Sequence, residues 1–325
     1  RFGKLEDVPS RFRDDEHLLE IINRIAIVHG QKVDESNPII DMRLPDASRV
    51  NVVIPPISLV GPVLTLRKFT QKFGPKSVED LIHFGAWNED MVEFLRACIR
   101  GRLNIAISGG TGSGKTTILN IFANMIPNHE RIILVQEVDE LSLSQKYVIT
   151  LESRPPNLEG RGEITVRDLV KNALKMRPDR IITSEVRRGE VLDLFDAMNT
   201  GHDGCLFTVH ANTPHDALAR LEVMVTSANP SIPLLNVRQM MASALDLIVQ
   251  QERLRDGSRK IVKISEVESM QGDTIVLSDI FEFRQTGIEA GKITGYFTAT
   301  GRIPKFLTRL GMVGQELPLS LFTPR

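Results

Sequence analysis

"ISGGTGSGKTT", residues 107–117, sets four glycines and one lysine in one short stretch. The order Gly109-x-x-x-x-Gly114-Lys115-Thr116 fits the phosphate-binding P-loop pattern, which counts only between a strand and a helix. Upstream, "LNIAI" (103–107) is a short apolar run of the buried parallel-strand kind. Downstream, Ile118, Leu119, Phe122 and Met125 recur at helical spacing until Pro127 ends the run. Both flanks are present.

The residue types then dictate the chemistry. Glycines let the backbone curl with its N–H groups turned inward, a concave anion site that side chains would crowd. The same amides open a helix, whose dipole also favours a phosphate. On this reading Gly110, Thr111, Gly112, Ser113, Gly114, Lys115, Thr116 and Thr117 cradle a nucleoside triphosphate. Lys115 reaches the terminal phosphates as a point charge, and the Thr116 hydroxyl joins the shell of a magnesium ion. A glycine turn that merely happens to carry a lysine is the bland alternative, and the matching flanks weigh against it.

Composition narrows the classes around this motif. The 325 residues suffice for two domains, and 42% hydrophobic, 25% charged and 5% aromatic residues describe an ordinary globular chain. A net charge of -1 gives no basic field to draw the chain onto nucleic acid. Cys98 and Cys205 both sit in apolar patterns, so free buried thiols and a reducing compartment are expected. No apolar run approaches the roughly 20 residues that span a bilayer, and no signal peptide opens the chain. A cytoplasmic location is therefore expected. The opening arginine leads us to expect a further N-terminal segment upstream.

Along the chain two patterns alternate. Residues 1–80 read as a small α+β domain. Its helix carries Leu18, Leu19, Ile22 and Ile25, two strands flank the turn Asp46-Ala47-Ser48, and a third strand runs through "GPVLTLRKF" (61–69). A polar stretch, 70–87, is assigned as linker. Residues 81–325 read as a RecA-like α/β core. Asn88 caps a helix, strands follow at "LNIAI", "RIILV", "YVITL", "RIITS" and "CLFTV", and a hairpin closes at Asp256-Gly257. The last forty residues suggest further short strands and a short helix.

Hydrolysis needs an acid near the third phosphate, and in open α/β sheets that chemistry gathers at the carboxyl ends of strands. Two strands end in acids, at Glu137 and Glu185. Glu185 is the candidate to activate water or hold magnesium, and Glu137, with Asp139 and Glu140 close behind, has the same options. Solvated acids at strand ends remain the alternative for both. His210 ends "CLFTV" just before a helix capped by Thr213, a place suited to sensing the γ-phosphate. A zinc site of His202, Cys205, His210 and His215 is its rival. Those spacings lack paired ligand motifs, and Cys205 and His210 fall on opposite faces of one strand. Arginines gather at Arg43, Arg49 and Arg67 in the small domain and at Arg154, Arg161 and Arg187 in the core. A guanidinium that reaches a transferring phosphoryl group has a large effect on rate. Arg259 is taken as remote from the site.

With these strings in view the chain resembles the type II/type IV secretion ATPase superfamily, and most closely its CpaF/TadA branch, which powers Flp-type (tad) pilus assembly. The resemblance rests on "VDESNPIIDMRLPDASRVNVVIPP", "SGGTGSGKTT", "LESRPPNLEGRGEITVRDLVKNALKMRPDRII" and "AMNTGHDGCLFTVHANTPHDALARLE". It implies an ATP-hydrolysing motor, magnesium-dependent, built as a hexameric ring of two-domain subunits with ATP between the domains. It also implies Glu185 in the Walker B role, His210 in the His box and Arg43, Arg49 and Arg67 on the phosphates. Membrane platform proteins at the inner face of the cytoplasmic membrane are the implied partners. Three positions depart from the family pattern. Val135-Gln136-Glu137 stands where Ile-Glu-Asp is usual, Ser184 replaces the glycine before Glu185, and Ala47 replaces a turn glycine. Other readings are a conjugative type IV secretion ATPase, a non-hydrolysing scaffold and a hexameric nucleic-acid motor. The last would need a basic channel or stacking aromatics. With only Trp87, two tyrosines and a net charge of -1, no nucleic acid is expected.

Overall fold

The computed structural model describes residues 6–46, 48–68, 77–157 and 160–324. The readings at Ala47, at Phe69 and over 70–76 fall outside them. The chain divides into two compact units, Arg1–Gly74 and Pro75–Arg325.

In the first unit helix α1 (Asp15–Val28) starts where the Asp14 carboxylate accepts the His17 N–H, an N-cap bond of 2.8 Å. Its Ile22 and Ala26 are buried with Met42, Val50, Val52 and Ile54. The last four belong to or adjoin the sheet of β1 (Ile39–Arg43), β2 (Arg49–Val53) and β3 (Val63–Arg67), antiparallel in that order. Val50 and Val52 take the core side of β2, so period-2 alternation turns Arg49 to the other face. Arg49 is the register partner of both Arg43 and Arg67. The three arginines thus form one row across the sheet, on the face away from the core.

The second unit begins earlier than the sequence suggested. Residues 77–87, assigned to the linker, hold helix α2 (Val78–His83) with a Ser77–Asp80 capping box. Leu81, Ala86 and fully buried Trp87 join the core, because an apolar cluster of this size outweighs the polar look of the segment. Helix α3 (Glu89–Arg100) is capped by Asn88, as the sequence indicated. Then come β4 (Ile105–Gly109), α4 (Lys115–Asn124), β5 (Ile132–Gln136), β6 (Val148–Glu152), α5 (Val166–Ala173), β7 (Arg180–Val186), α6 (Glu190–Asn199), β8 (Leu206–His210), α7 (Pro214–Ala228) and α8 (Leu234–Ala244). Strands β9 (Leu247–Arg253), β10 (Arg259–Gln271), β11 (Thr274–Glu289) and β12 (Lys292–Ala299) precede helix α9 (Leu307–Met312). The sixteen residues of β11 reach into a region read as short strands.

One sheet carries them in the order β12-β11-β10-β9-β4-β8-β7-β5-β6. Strands β9, β4, β8, β7, β5 and β6 pair in parallel, and β10 to β12 extend the sheet antiparallel. Alternate residues of the apolar runs feed opposite faces. Ile105, Ile107, Ile132, Leu134 and Ile182 join the cluster under α3 and α4, whereas Ala106, Ile133, Val135 and Ile181 join the one under α5 to α8. This is a mixed α/β sheet with helices on both faces, as the strand runs implied. The hairpin turn has Gly257 at φ +85°, at the predicted place.

At the amino end of the sheet a buried ion pair ties the layers together. Arg180 has no exposed side-chain surface. Its Nε and Nη2 donate to the two Glu130 carboxylate oxygens at 2.7 and 3.1 Å, and Nη2 also donates to the Ile99 carbonyl at 2.8 Å. Removing one partner strands the other charge in a water-poor site. Glu130→Ala is expected to lower unfolding stability by about 3–5 kcal/mol, read from urea titration. A loss below about 1 kcal/mol would show that water reaches Arg180 after all.

Candidate functional site

The P-loop sits at the carboxyl end of the central strand β4. Gly114 caps α4 at φ +102°, a left-handed conformation that side chains rarely take, and this turns the following amides toward the loop's centre. Gly109 serves closeness instead, since a Cβ there would lie 2.3 Å from the Gln251 carbonyl oxygen of β9. Lys115 Nζ donates to the Gly110 carbonyl at 3.0 Å, which folds the ammonium back over the loop. Burial pulls the Lys115 pKa down and the nearby Glu185 carboxylate opposes that. A buried polar layer backs the loop: the Gln251 amide donates to the Ser113 carbonyl at 3.2 Å, and the Gln250 amide donates to the Asn212 carbonyl at 2.9 Å. Beside the loop a cavity of about 280 Å³ is lined by Thr111, Ser113, Asn212, Gln250 and Arg253 among others. A larger hollow of about 720 Å³, flanked by Arg96 and Arg100, is lined by none of the candidate site residues.

His210 ends β8, directly beside Gly109 in the register. Its Nε2 lies 3.3 Å from the Thr111 hydroxyl, so the loop and the histidine are in contact. Burial first, then the charge of Lys115, holds the imidazole below the ordinary histidine range. It is therefore a neutral hydrogen-bonding group near pH 7. Of its zinc-site companions, buried Cys205 donates its thiol to the His202 carbonyl at 3.2 Å.

Glu185 lies in a β-bulge. Thr183 pairs with Phe207 and Val186 with Val209, so β7 spends one residue more than β8 between these pairs. Bulges re-aim side chains, and no periodicity in "RIITSEV" announced this one. Ser184, inside the bulge, accepts a 2.6 Å bond from the Thr208 hydroxyl through its carbonyl. Arg187 reaches both strand-end acids: Nη1 to Glu137 Oε2 at 2.6 Å and Nη2 to Glu185 Oε2 at 2.8 Å. Gln136 is fully buried. Its amide donates to Asp139 at 2.7 Å and its carbonyl oxygen accepts the Glu140 and Leu141 N–H groups, both at 3.3 Å. A carboxylate there would face Asp139 with a like charge. The neutral residue thus suits this loop.

Two arginine readings change. Arg259 is not remote: its Nε donates to the Gly112 carbonyl at 2.9 Å, and Arg253, its register partner, lines the cavity beside the loop. The parallel pairing of β9 with β4, whose partners such as Ile105 and Leu247 are 142 residues apart in the chain, brings them there, and no local signal reveals it. Arg154 is occupied within its own loop, donating to the Gly162 carbonyl at 2.8 Å. Arg43, Arg49 and Arg67 belong to the other unit, in the row described above.

Strand, glycine loop and helix with a lysine at the helix start define a P-loop nucleotide-site core. The profile of the Type II/IV secretion system protein family matches residues 2–302, and the chain belongs to that family. A putative conjugal transfer protein of Mycobacterium tuberculosis is 34% identical over 268 residues, 81% of this chain and 75% of its own length. The type IV secretion system protein VirB11 of Bartonella quintana is 30% identical over 284 residues, 77% of this chain and 79% of its own. Among solved structures, the Brucella suis VirB11 ATPase of a type IV secretion system, crystallised with sulphate, is similar. It has 25% identity, covers 78% of this chain and 83% of that one, and gives a TM-score of 0.50.

Proposed function

We propose that this chain is an ATP-hydrolysing motor subunit of a secretion or pilus machine, of the CpaF/TadA branch that serves Flp-type pili. The observation that carries the reading is the contact set at the P-loop: Lys115 folded over Gly110, His210 against Thr111, and Glu185 in a bulge two strands away. ATP lies with its phosphates on residues 110–117. The hydroxyl of Thr116 is a hard oxygen donor of the kind magnesium takes and would hold it directly, with the Glu185 carboxylate holding it through the metal's water shell. Bound magnesium would neutralise charge on the phosphates. Glu185 orients the attacking water and takes its proton. His210, neutral, reports on the γ-phosphate through Thr111.

Arg43, Arg49 and Arg67, the row in the small unit, are the proposed phosphate-binding arginines, able to make charge-assisted bonds that need the γ-phosphate. The working form is a hexameric ring, cytoplasmic and peripheral to the membrane, docked on inner-membrane platform proteins and free of nucleic acid. Among the described residues no helix is long and apolar enough to cross a membrane. A second reading, a conjugative type IV secretion ATPase, is favoured by the curated relatives named for conjugal transfer and for VirB11.

Steady-state phosphate release tests the proposal. We expect magnesium-dependent release that single-stranded DNA leaves unchanged. Absence of release would return the chain to the scaffold reading, and DNA stimulation would make it a nucleic-acid motor. Deleting the gene from its host separates the two secretion readings: loss of pili supports the first, loss of DNA transfer with pili intact supports the second. Arg49→Ala and Arg67→Ala should each weaken hydrolysis more than nucleotide binding.

A further inference from the structure

Strands β5 and β7 are parallel neighbours with Val135 level with Thr183. Two residues further on, Glu137 leaves the end of β5 beside Glu185. Like charges at one end of adjacent strands repel. Between them stands one guanidinium, whose planar fork places two donors toward two separate acceptors. Lysine, a point charge, has no such geometry.

Both supports of this bridge are themselves held. The backbone N–H groups of Arg187 and Arg188 donate to one Glu190 carboxylate oxygen at 2.5 and 2.9 Å, and Glu190, in the first turn of α6, is 5% exposed. On the other side the buried Gln136 amide clamps the loop that follows Glu137, through Asp139, Glu140 and Leu141. The arginine therefore starts from a fixed point, and so does the acid that anchors it. The bridge itself is partly open to water, with 47% of the Glu137 and 27% of the Glu185 side chain exposed. Its value is thus in aim more than in stability.

We propose that Glu137 acts on hydrolysis only through Arg187: it anchors the guanidinium, and Arg187 is a positioning residue that holds Glu185 Oε2 so that Oε1 is presented to the attacking water. This rests on the reading of Glu185 as the group that touches that water. A glutamate at position 137 suits the task, because its longer side chain extends the reach of the carboxylate toward Arg187, just past the end of β7. The second acid of the site then has no direct share in the chemistry.

A double-mutant cycle on the full chain tests this. Glu137→Ala, which leaves Arg187 no acceptor on that side, and Arg187→Met should each lower kcat for ATP hydrolysis by about 10–100-fold, as the loss of groups that orient a reacting ligand does, with KM for ATP changed by less than about 3-fold. The double variant should be no slower than Arg187→Met alone. Losses that multiply, an effect on KM in place of kcat, or a Glu137→Ala enzyme that turns over normally would each overturn the proposal. Arg187→Lys keeps the charge without the fork, so the same cycle is built on it, with the same outcomes deciding, if Arg187→Met does not fold. Glu185→Gln is measured alongside: normal turnover there would refute the underlying role of Glu185, whereas a large loss there combined with an additive cycle would refute only the positioning role of Arg187.

Discussion

Lys115→Ala is expected to bring ATP turnover down to background while leaving the chain folded. The ammonium is the only positive charge within the glycine loop itself, and in the present state it rests on the Gly110 carbonyl. An incoming triphosphate offers it a stronger, charged acceptor, so the lysine exchanges a neutral hydrogen bond for charge-assisted ones. Alanine keeps the helix start intact, since it is the best helix former and Gly114 still caps α4. Thermal unfolding should therefore move by no more than about 1 kcal/mol, with phosphate release lost. Normal release in a folded variant would move the nucleotide away from this loop.

Glu185→Gln should leave nucleotide affinity largely intact and lower turnover by about two to four orders of magnitude, the usual size of a lost general base. Glutamine preserves volume and can still accept from Arg187, so the bulge in β7 has no reason to rearrange. Single-turnover phosphate release, set beside nucleotide affinity from a fluorescent analogue, separates the two effects. If Glu137→Gln proves the more severe of the two changes, the catalytic role lies with Glu137, the acid that follows β5.

Much of the core was legible because its signals are local. The glycine spacing of 109–114, the Asn88 and Thr213 caps, the five apolar runs and the Asp256-Gly257 turn each lie within a dozen residues, and each appears where the pattern put it. The linker reading failed for the opposite reason. Residues 77–87 look polar by themselves, and only the presence of α3 and α4 around Trp87 makes burial of that segment favourable. Arg259 was misread as remote for the same cause, because its place on Gly112 depends on strand pairing over 140 residues away in the chain.

What the sequence by itself determined is the glycine loop between β4 and α4, the order of elements and the identity of the acids at the strand ends. These follow from backbone sterics, from hydrophobic periodicity and from capping groups, all of which act over one or two turns of chain. Only the tertiary structure decided the strand order β9-β4-β8-β7-β5, the alignment of Arg43, Arg49 and Arg67 in one row, and the bridge from Glu137 through Arg187 to Glu185. Register and side-chain reach depend on which distant strands share a sheet. A one-residue bulge such as that at Ser184–Glu185 re-aims a side chain without leaving a trace in the apolar pattern.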